Sequence, residues 1–169
     1  VGGIVGHGSN FNGTCFYFVR EGEHLTHDDA EAACANFDTQ GAFATAVETH
    51  LAVPTSASEL NAIGNAIPTG ERSWVGLEDF ADVNTASSSR FMGITNESFV
   101  SFAASFPADA GSLDASHDCV VATSGQIDSP LLFAVDGAVP DAGPPDETIT
   151  GAVCEVTTCG NTVRDDDRA

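Results

Sequence analysis

The feature that most constrains the fold is a frame of cysteines around one short apolar run. Cys34 follows an amphipathic stretch, Trp74-Val75-Gly76-Leu77 lies in the middle of the chain, and Cys119 and Cys154-Glu155 come late. The run from Trp74 to Leu77 predicts a compact core strand. A cysteine on an early helix and another in a late strand can tie the two ends of one small domain together.

Composition favours a folded extracellular protein over a nucleic-acid-binding or membrane protein. The chain has 169 residues, 42% of them hydrophobic, which is enough for one domain with a core. Its net charge of -20 repels phosphate backbones and anionic lipids, and no apolar run is long enough to cross a bilayer. The five cysteines include no Cys-x-x-Cys pair, which argues against a structural zinc site and for an extracellular or cell-surface location.

Local patterns predict an α+β order of elements. Thr26 is an N-cap candidate for a first helix that carries Cys34 on its buried face. Ser56 and Glu59 form a potential capping box for a second helix, which Pro68 ends. Dense aromatic and β-branched runs predict strands. These strands are Cys15 to Val19, Trp74 to Leu77, Phe99 to Phe102, Cys119 to Ala122, Leu131 to Val135 and Ala152 to Val156.

The same patterns divide the chain into three parts. Residues 1–11 are Gly-rich and predict an extended N-terminal arm. Residues 12–156 hold every predicted helix and strand and form the domain. Residues 157–169 are polar and acidic, and predict a tail or the start of a further module. The Cys159-Gly160-Asn161 opening of this tail has a short resemblance to cysteine-rich repeats of secreted myxobacterial proteins.

Six segments, in the right order from Asn12 to Val156, resemble the C-type lectin-like domain. They are Asn12-Gly13-Thr14-Cys15-Phe16-Tyr17-Phe18, Thr26 to Cys34, His50 to Asn61, Trp74-Val75-Gly76-Leu77, Asp118-Cys119-Val120 and Ala152-Val153-Cys154-Glu155. The resemblance implies an α+β C-type lectin-like fold with two helices, small antiparallel sheets and a long loop region.

The resemblance also implies how the cysteines pair. The family's long-range disulfide corresponds to Cys34–Cys154. The family's first and last strands are antiparallel neighbours, so we predict a second bridge, Cys15–Cys159. Cys119 has lost its family partner and is expected to be a buried free thiol.

Calcium is the cofactor that the resemblance implies. The family's sugar-binding tripeptide corresponds to Phe106-Pro107-Ala108, which offers no oxygen ligand on either side of the proline, so the usual calcium-dependent sugar site is not expected. A structural calcium site corresponds to the Val53 carbonyl, Glu59 and Glu155. For these, the alternative is that Glu59 only caps its helix and Glu155 is a solvated strand acid.

An auxiliary calcium site in the loops corresponds to three further acids, Asp79, Asp109 and Asp118. The alternative is that they are ordinary acidic loop residues. The residues expected to contact a ligand are Phe106, Asp109 and Asp128. His7, His24, His27 and His50 form no spaced cluster of the kind that marks a transition-metal site.

The function expected from these features is non-enzymatic recognition of an extracellular protein or glycan through the long loops. The alternative is that the chain is a structural subunit that self-assembles into a calcium-stabilised filament, sheath or surface layer. A more distant hypothesis is a hydrolase with His117 as base and Cys119 as nucleophile, although the pair has no third group to orient it.

Overall fold

The computed structural model describes residues 3–4, 9–20, 25–36, 49–79, 91–95, 118–125, 127–135 and 149–156. The two helices in this part of the chain are α1 (His27–Ala35) and α2 (Ala57–Ala66). The strands are β1 (Gly3–Ile4), β2 (Ser9–Phe11), β3 (Thr14–Arg20), β4 (Thr49–Leu51), β5 (Arg72–Asp79), β6 (Phe91–Gly93), β7 (Cys119–Thr123), β8 (Leu132–Val135) and β9 (Ile149–Val156). The strand predicted from Phe99 to Phe102 and the 157–169 tail lie outside the described residues.

The described strands form one mixed sheet in the order β1-β3-β9-β5-β7-β8, with β2 on β3, β4 on β9 and β6 on β5. The predicted antiparallel pairing of the first long strand with the last is confirmed, since β3 and β9 pair from Cys15↔Val156 to Arg20↔Gly151. One pair differs from the expected antiparallel sheets, because β5 and β9 run parallel. This places the Trp74 strand at the centre of the sheet.

The Gly-rich start of the chain pairs with β3 through two short strands. β2 and β3 form a hairpin whose two-residue turn is Asn12-Gly13, with φ of 52° and 89°. Positive φ at both turn positions matches the right-handed twist of the strands, which explains why Asn-Gly occurs there. β1 then pairs further along, with Ile4 opposite Val19.

The sheet carries a helix and an apolar cluster on each face. Alternate residues of a strand point to opposite faces, and the two clusters follow this period. Val75 belongs to the cluster that includes Ile63 of α2, whereas Trp74 belongs to the cluster that includes Ala30 of α1. The core therefore has two layers with the sheet between them.

The predicted disulfide between α1 and β9 is confirmed. Cys34 and Cys154 are bonded, with a Cα–Cα distance of 5.2 Å, and both are fully buried. Cys15 is also disulfide-bonded. Its predicted partner Cys159 lies outside the described residues, so that pairing stays a prediction. Cys119 is free and buried, as expected.

The helix starts are capped largely as predicted. Thr26 Oγ1 accepts a hydrogen bond from Asp29 N at 3.2 Å, and Ser56 Oγ accepts one from Glu59 N at 3.2 Å. The carboxylate of Glu59 does not return the bond to Ser56 but accepts the Thr55 N–H at 2.8 Å. Neither described helix has the length and apolarity to cross a membrane.

Gly151 on β9 provides a test of how tightly β9 packs against β3. A Cβ there would lie 2.7 Å from the Val19 carbonyl oxygen and would also overlap the Phe18 ring. Because a strand backbone cannot move away from its own ladder, we expect Gly151→Ala to lower the free energy of unfolding by about 2 to 3 kcal/mol. Urea denaturation followed by circular dichroism measures this loss. A change below 0.5 kcal/mol, roughly the effect of a neutral surface substitution, would contradict the close packing.

Candidate functional site

Of the three residues assigned to a structural calcium site, Val53 and Glu155 are in contact, and Glu59 bonds to a residue that follows Val53 closely in sequence. Val53 N donates a hydrogen bond to Glu155 Oε2 at 3.2 Å, across a sequence separation of 102 residues. Glu59 binds the backbone of Thr55, two residues beyond Val53. The carboxyl-bearing residues are 7% and 8% exposed. Glu155 is therefore a buried acid that binds the segment leading into α2, and not a solvated one.

Two of the three acids assigned to the auxiliary site are neighbours. Asp79 N donates to the Asp118 carbonyl oxygen at 2.7 Å, which joins the end of β5 to the start of β7. Asp109 and Phe106 lie outside the described residues, as does His117 of the hydrolase hypothesis. Asp128 is exposed and lies in the segment that precedes β8.

A β-bulge at the end of β5 determines which side chain faces Cys119. The register runs Trp74↔Val121 and Val75↔Val120, but then jumps so that Glu78 is opposite Cys119. The backbone of Gly76 in the bulge turns away from β7, and its N–H donates to the Ala52 carbonyl at 2.9 Å. Bulges commonly redirect a side chain in this way. Directly opposed residues of an antiparallel pair have neighbouring side chains, so the bulge brings a carboxylate beside the thiol.

His27, the first residue of α1, also lies beside Glu78. His27 is 1% exposed, and its ring packs edge-on against Trp74 with 5.4 Å between ring centroids. Its Nε2 lies 3.2 Å from the Val75 carbonyl oxygen. A carbonyl only accepts hydrogen bonds, so Nε2 is the donor in this contact. The other ring nitrogen, Nδ1, lies 3.0 Å from Glu78 Oε1.

His27, Glu78 and Cys119 thus form a cluster of one nitrogen, one oxygen and one sulfur ligand atom, all within 4.8 Å of one another. We refer to these three residues as the His27 cluster. They line a cleft of about 460 Å³, the acidic cleft, together with Thr26, Asp28, Asp79 and Asp118. Sequence spacing could not reveal this group, because its members come from three separate elements and only the bulge aligns Glu78.

The environment of Cys119 keeps its thiol protonated in the metal-free protein. Burial raises the pKa of Cys119 most, and the nearby carboxylates of Asp118, Glu78 and Asp28 raise it further, since a thiolate would be repelled by them. A thiol that stays protonated is a poor nucleophile. This environment disfavours the hydrolase hypothesis.

Thiol labelling tests this environment. With chelator present, we expect Ellman's reagent to label Cys119 slowly in the folded protein and rapidly after unfolding. The pKa of Cys119 is higher in the folded protein than in the unfolded chain. As pH rises above about 8.5, the unfolded chain therefore loses the thiol proton first, and the free energy of unfolding decreases. Cys119→Ser should remove both the labelling and this alkaline loss. Rapid labelling of the native protein at neutral pH would contradict the conclusion that Cys119 is a buried, protonated thiol.

A second cleft, of about 290 Å³, lies beside β8 and carries exposed apolar side chains. Ile127 is 76% exposed and Leu131 is 42% exposed, and they are the exposed large hydrophobic residues found in the described part of the chain. We call this the Ile127 cleft. Its other lining residues are Thr69, Gly70, Glu71, Arg72, Thr123, Ser124, Asp128 and Ser129. The guanidinium of Arg72 stacks over the Phe133 ring at 4.5 Å, which holds one wall of the cleft in place.

Comparison with known proteins identifies the fold. No family model and no curated protein matches the sequence. Among solved structures, the C-type lectin CEL-I from Cucumaria echinata matches 89% of this chain and 95% of its own, at 14% identity and a TM-score of 0.57. The C-type lectin domain of murine dendritic cell inhibitory receptor 2, solved in complex with an N-glycan, matches 88% and 94%, at 15% identity and 0.56. The carbohydrate-recognition domain of the mouse scavenger receptor C-type lectin matches 90% and 97%, at 19% identity and 0.51.

Each match spans most of both chains, so the likeness concerns the whole domain and not one motif. The identities are low, and the likeness therefore concerns the fold. The chain has the C-type lectin-like fold, and its described residues form an α+β arrangement with two helices on a mixed sheet.

Proposed function

We propose that this chain is a non-enzymatic recognition module that acts outside the cell and binds a protein or glycan ligand. The fold supports this proposal, since one of the similar solved structures is a lectin domain in complex with an N-glycan. The disulfide between Cys34 and Cys154 supports an oxidising, extracellular location. Fold alone does not define a ligand, so the proposal needs a surface on this molecule.

The Ile127 cleft is the observation that carries the proposal. Exposed apolar side chains that line a cleft and are surrounded by polar residues can mark a site of protein–protein interaction. Here Ile127 and Leu131 flank a cleft that also contains Asp128, one of the predicted ligand contacts, and the buried charge of Arg72. Apolar anchors surrounded by polar groups are typical of binding surfaces. The aliphatic character favours a protein ligand over a sugar, for which aromatic stacking would be expected.

A binding comparison of two variants tests this assignment. Wild type, Ile127→Asp and a control, Asn61→Ala on the exposed side of α2, would be applied to a glycan array and to the surface-protein fraction of the source cells. We expect a ligand in one arm that wild type and the control retain and that Ile127→Asp loses. Circular dichroism checks that all three are folded, as expected for exposed positions.

Two results would count against the proposal. A ligand that Ile127→Asp still binds at full strength would remove the cleft from the binding surface. Absence of any ligand in both arms, combined with polymers on size-exclusion chromatography that dissolve in chelator, would favour the structural-subunit alternative.

We also propose that Ca²⁺ binds at the corner formed by Val53, Glu59 and Glu155. Glu59 and Glu155 are 7% and 8% exposed, and their carboxylates bind the backbone N–H groups of Thr55 and Val53, which supports two hard oxygen ligands close to the Val53 carbonyl. The Val53 carbonyl would add a third oxygen, and Ca²⁺ takes six to eight such ligands, with waters completing the set. The auxiliary site of Asp79, Asp109 and Asp118 stays a prediction, since Asp109 is not among the described residues.

Thermal melting in a calcium titration tests the corner site. A ligand that binds only the folded state stabilises it, by about 2.7 kcal/mol at a hundred times its dissociation constant. We expect Ca²⁺ to raise the melting temperature of wild type and of Asp28→Asn, but not of Glu59→Gln. An unchanged melting temperature in wild type would eliminate the site. An equal rise in Glu59→Gln would assign the calcium to other residues.

A further inference from the structure

We propose that the His27 cluster is a binding site for a transition-metal ion of the Zn²⁺ type. The cluster combines an imidazole nitrogen, a carboxylate oxygen and a thiol sulfur from His27, Glu78 and Cys119. Mixed nitrogen, sulfur and oxygen ligands are those that Zn²⁺ accepts. Ca²⁺ and Mg²⁺ prefer oxygen ligands alone, so this site is distinct in its chemistry from the calcium corner.

The distances suit such an ion after a small adjustment. The ligand atoms lie within 4.8 Å of one another, whereas a tetrahedral Zn²⁺ with bonds of about 2.0 to 2.3 Å separates its ligands by roughly 3.5 Å. The side chain of Glu78 is 26% exposed and can move, while His27 is held by its neighbours. The surrounding acidic cleft of about 460 Å³ leaves room for water as a fourth ligand.

The buried ring of His27 supplies an independent observation. Its Nε2–H donates to the Val75 carbonyl, which is the usual outer contact of a metal-bound histidine and fixes the tautomer. Nδ1 lies 3.0 Å from the Glu78 carboxylate oxygen without a well-aligned hydrogen bond, and in the neutral ring it presents a lone pair. Two acceptors at this distance repel one another unless a cation lies between them. A metal ion bonded to both atoms removes that repulsion, and so does a proton.

The Cys119 thiol distinguishes a bound metal ion from a proton shared by His27 and Glu78. A proton shared by His27 and Glu78 does not involve Cys119, whereas a metal ion draws all three ligand atoms together. The bulge in β5 places Glu78 opposite Cys119, and the acids Asp28, Asp79 and Asp118 around the cleft attract a divalent cation. Binding replaces the thiol proton by a metal–sulfur bond and releases that proton to solvent.

Cobalt spectroscopy on the full chain distinguishes metal binding from a shared proton. Protein stripped with chelator would be titrated with Co²⁺, which reports a bonded thiolate as a charge-transfer band in the near ultraviolet. We expect this band in wild type, its loss on adding Zn²⁺, and a higher melting temperature with Zn²⁺. Cys119→Ser should lack the band. Glu78→Gln should bind at least about a hundredfold more weakly, because even outer contacts of a metal site cost 10- to 100-fold.

The control is Glu31→Gln, which removes one negative charge from α1 outside the acidic cleft. It should keep the band and bind Co²⁺ within a fewfold of wild type. If wild type shows no band and no Zn²⁺ shift, a proton and not a metal joins His27 to Glu78, and the proposal is wrong. Co²⁺ binding that is unchanged in both Cys119→Ser and Glu78→Gln would also overturn it. The recognition test at the Ile127 cleft is independent of either result.

Discussion

Replacing Cys34 and Cys154 together by alanine is expected to lower the free energy of unfolding by about 4 to 5 kcal/mol. The bridge closes a sequence separation of 120 residues, so its loss returns a large loop entropy to the unfolded chain. Both residues are fully buried, one on α1 and one on β9, so the substitution also removes the covalent link between helix and sheet. Guanidinium denaturation followed by far-ultraviolet circular dichroism measures the loss.

Cys119→Ala is the matched control for this experiment. It also replaces a buried cysteine, which is 7% exposed, but it breaks no cross-link. We expect it to cost about 1 kcal/mol, a typical value for a modest core truncation. If the double variant were no less stable than this control, the unfolded chain would already be constrained by other means, and the loop-entropy argument would not apply here.

The central part of the fold could be predicted because its signals are local. The alternation of strand residues, the N-cap at Thr26 and the apolar run from Trp74 depend on neighbours within a few residues. The disulfide between Cys34 and Cys154 is long-range, and it was predicted from the resemblance to the C-type lectin-like domain. The short strands β1, β2, β4 and β6 were not predicted, because two or three residues carry no detectable period and pairing with β3, β9 or β5 decides their structure.

One candidate site was predicted from the sequence, whereas the other was not. Val53, Glu59 and Glu155 were assigned by matching segments, and the structure brings Val53 and Glu155 into contact. The His27 cluster was missed, and the histidine spacing was interpreted as evidence against a metal site. Its ligand atoms converge only because β5 bulges after Val75 and because α1 begins over Trp74. Neither feature has a signal in the sequence alone, since each depends on the packing of distant segments.

Trp74→Ala is expected to lower the free energy of unfolding by about 3 to 5 kcal/mol, the usual cost of removing a large buried aromatic ring. Trp74 is fully buried, lies on the central strand and donates its indole N–H to the Leu25 carbonyl at 2.7 Å. Truncation leaves a cavity beneath α1 and an acceptor without its donor. It also removes the ring against which His27 packs.

Trp74→Phe separates packing from hydrogen bonding at this position. Phenylalanine keeps most of the apolar contact but cannot donate to Leu25, so we expect a loss of about 1 to 3 kcal/mol. Chemical denaturation followed by circular dichroism suits both variants, because Trp74 is the single tryptophan and its fluorescence is lost. Equal stability of wild type and Trp74→Phe would mean that the Leu25 bond contributes nothing. In that case the start of α1 would be held over the sheet by the contact of His27 with the aromatic ring and by its hydrogen bond to the Val75 carbonyl, without a contribution from Leu25.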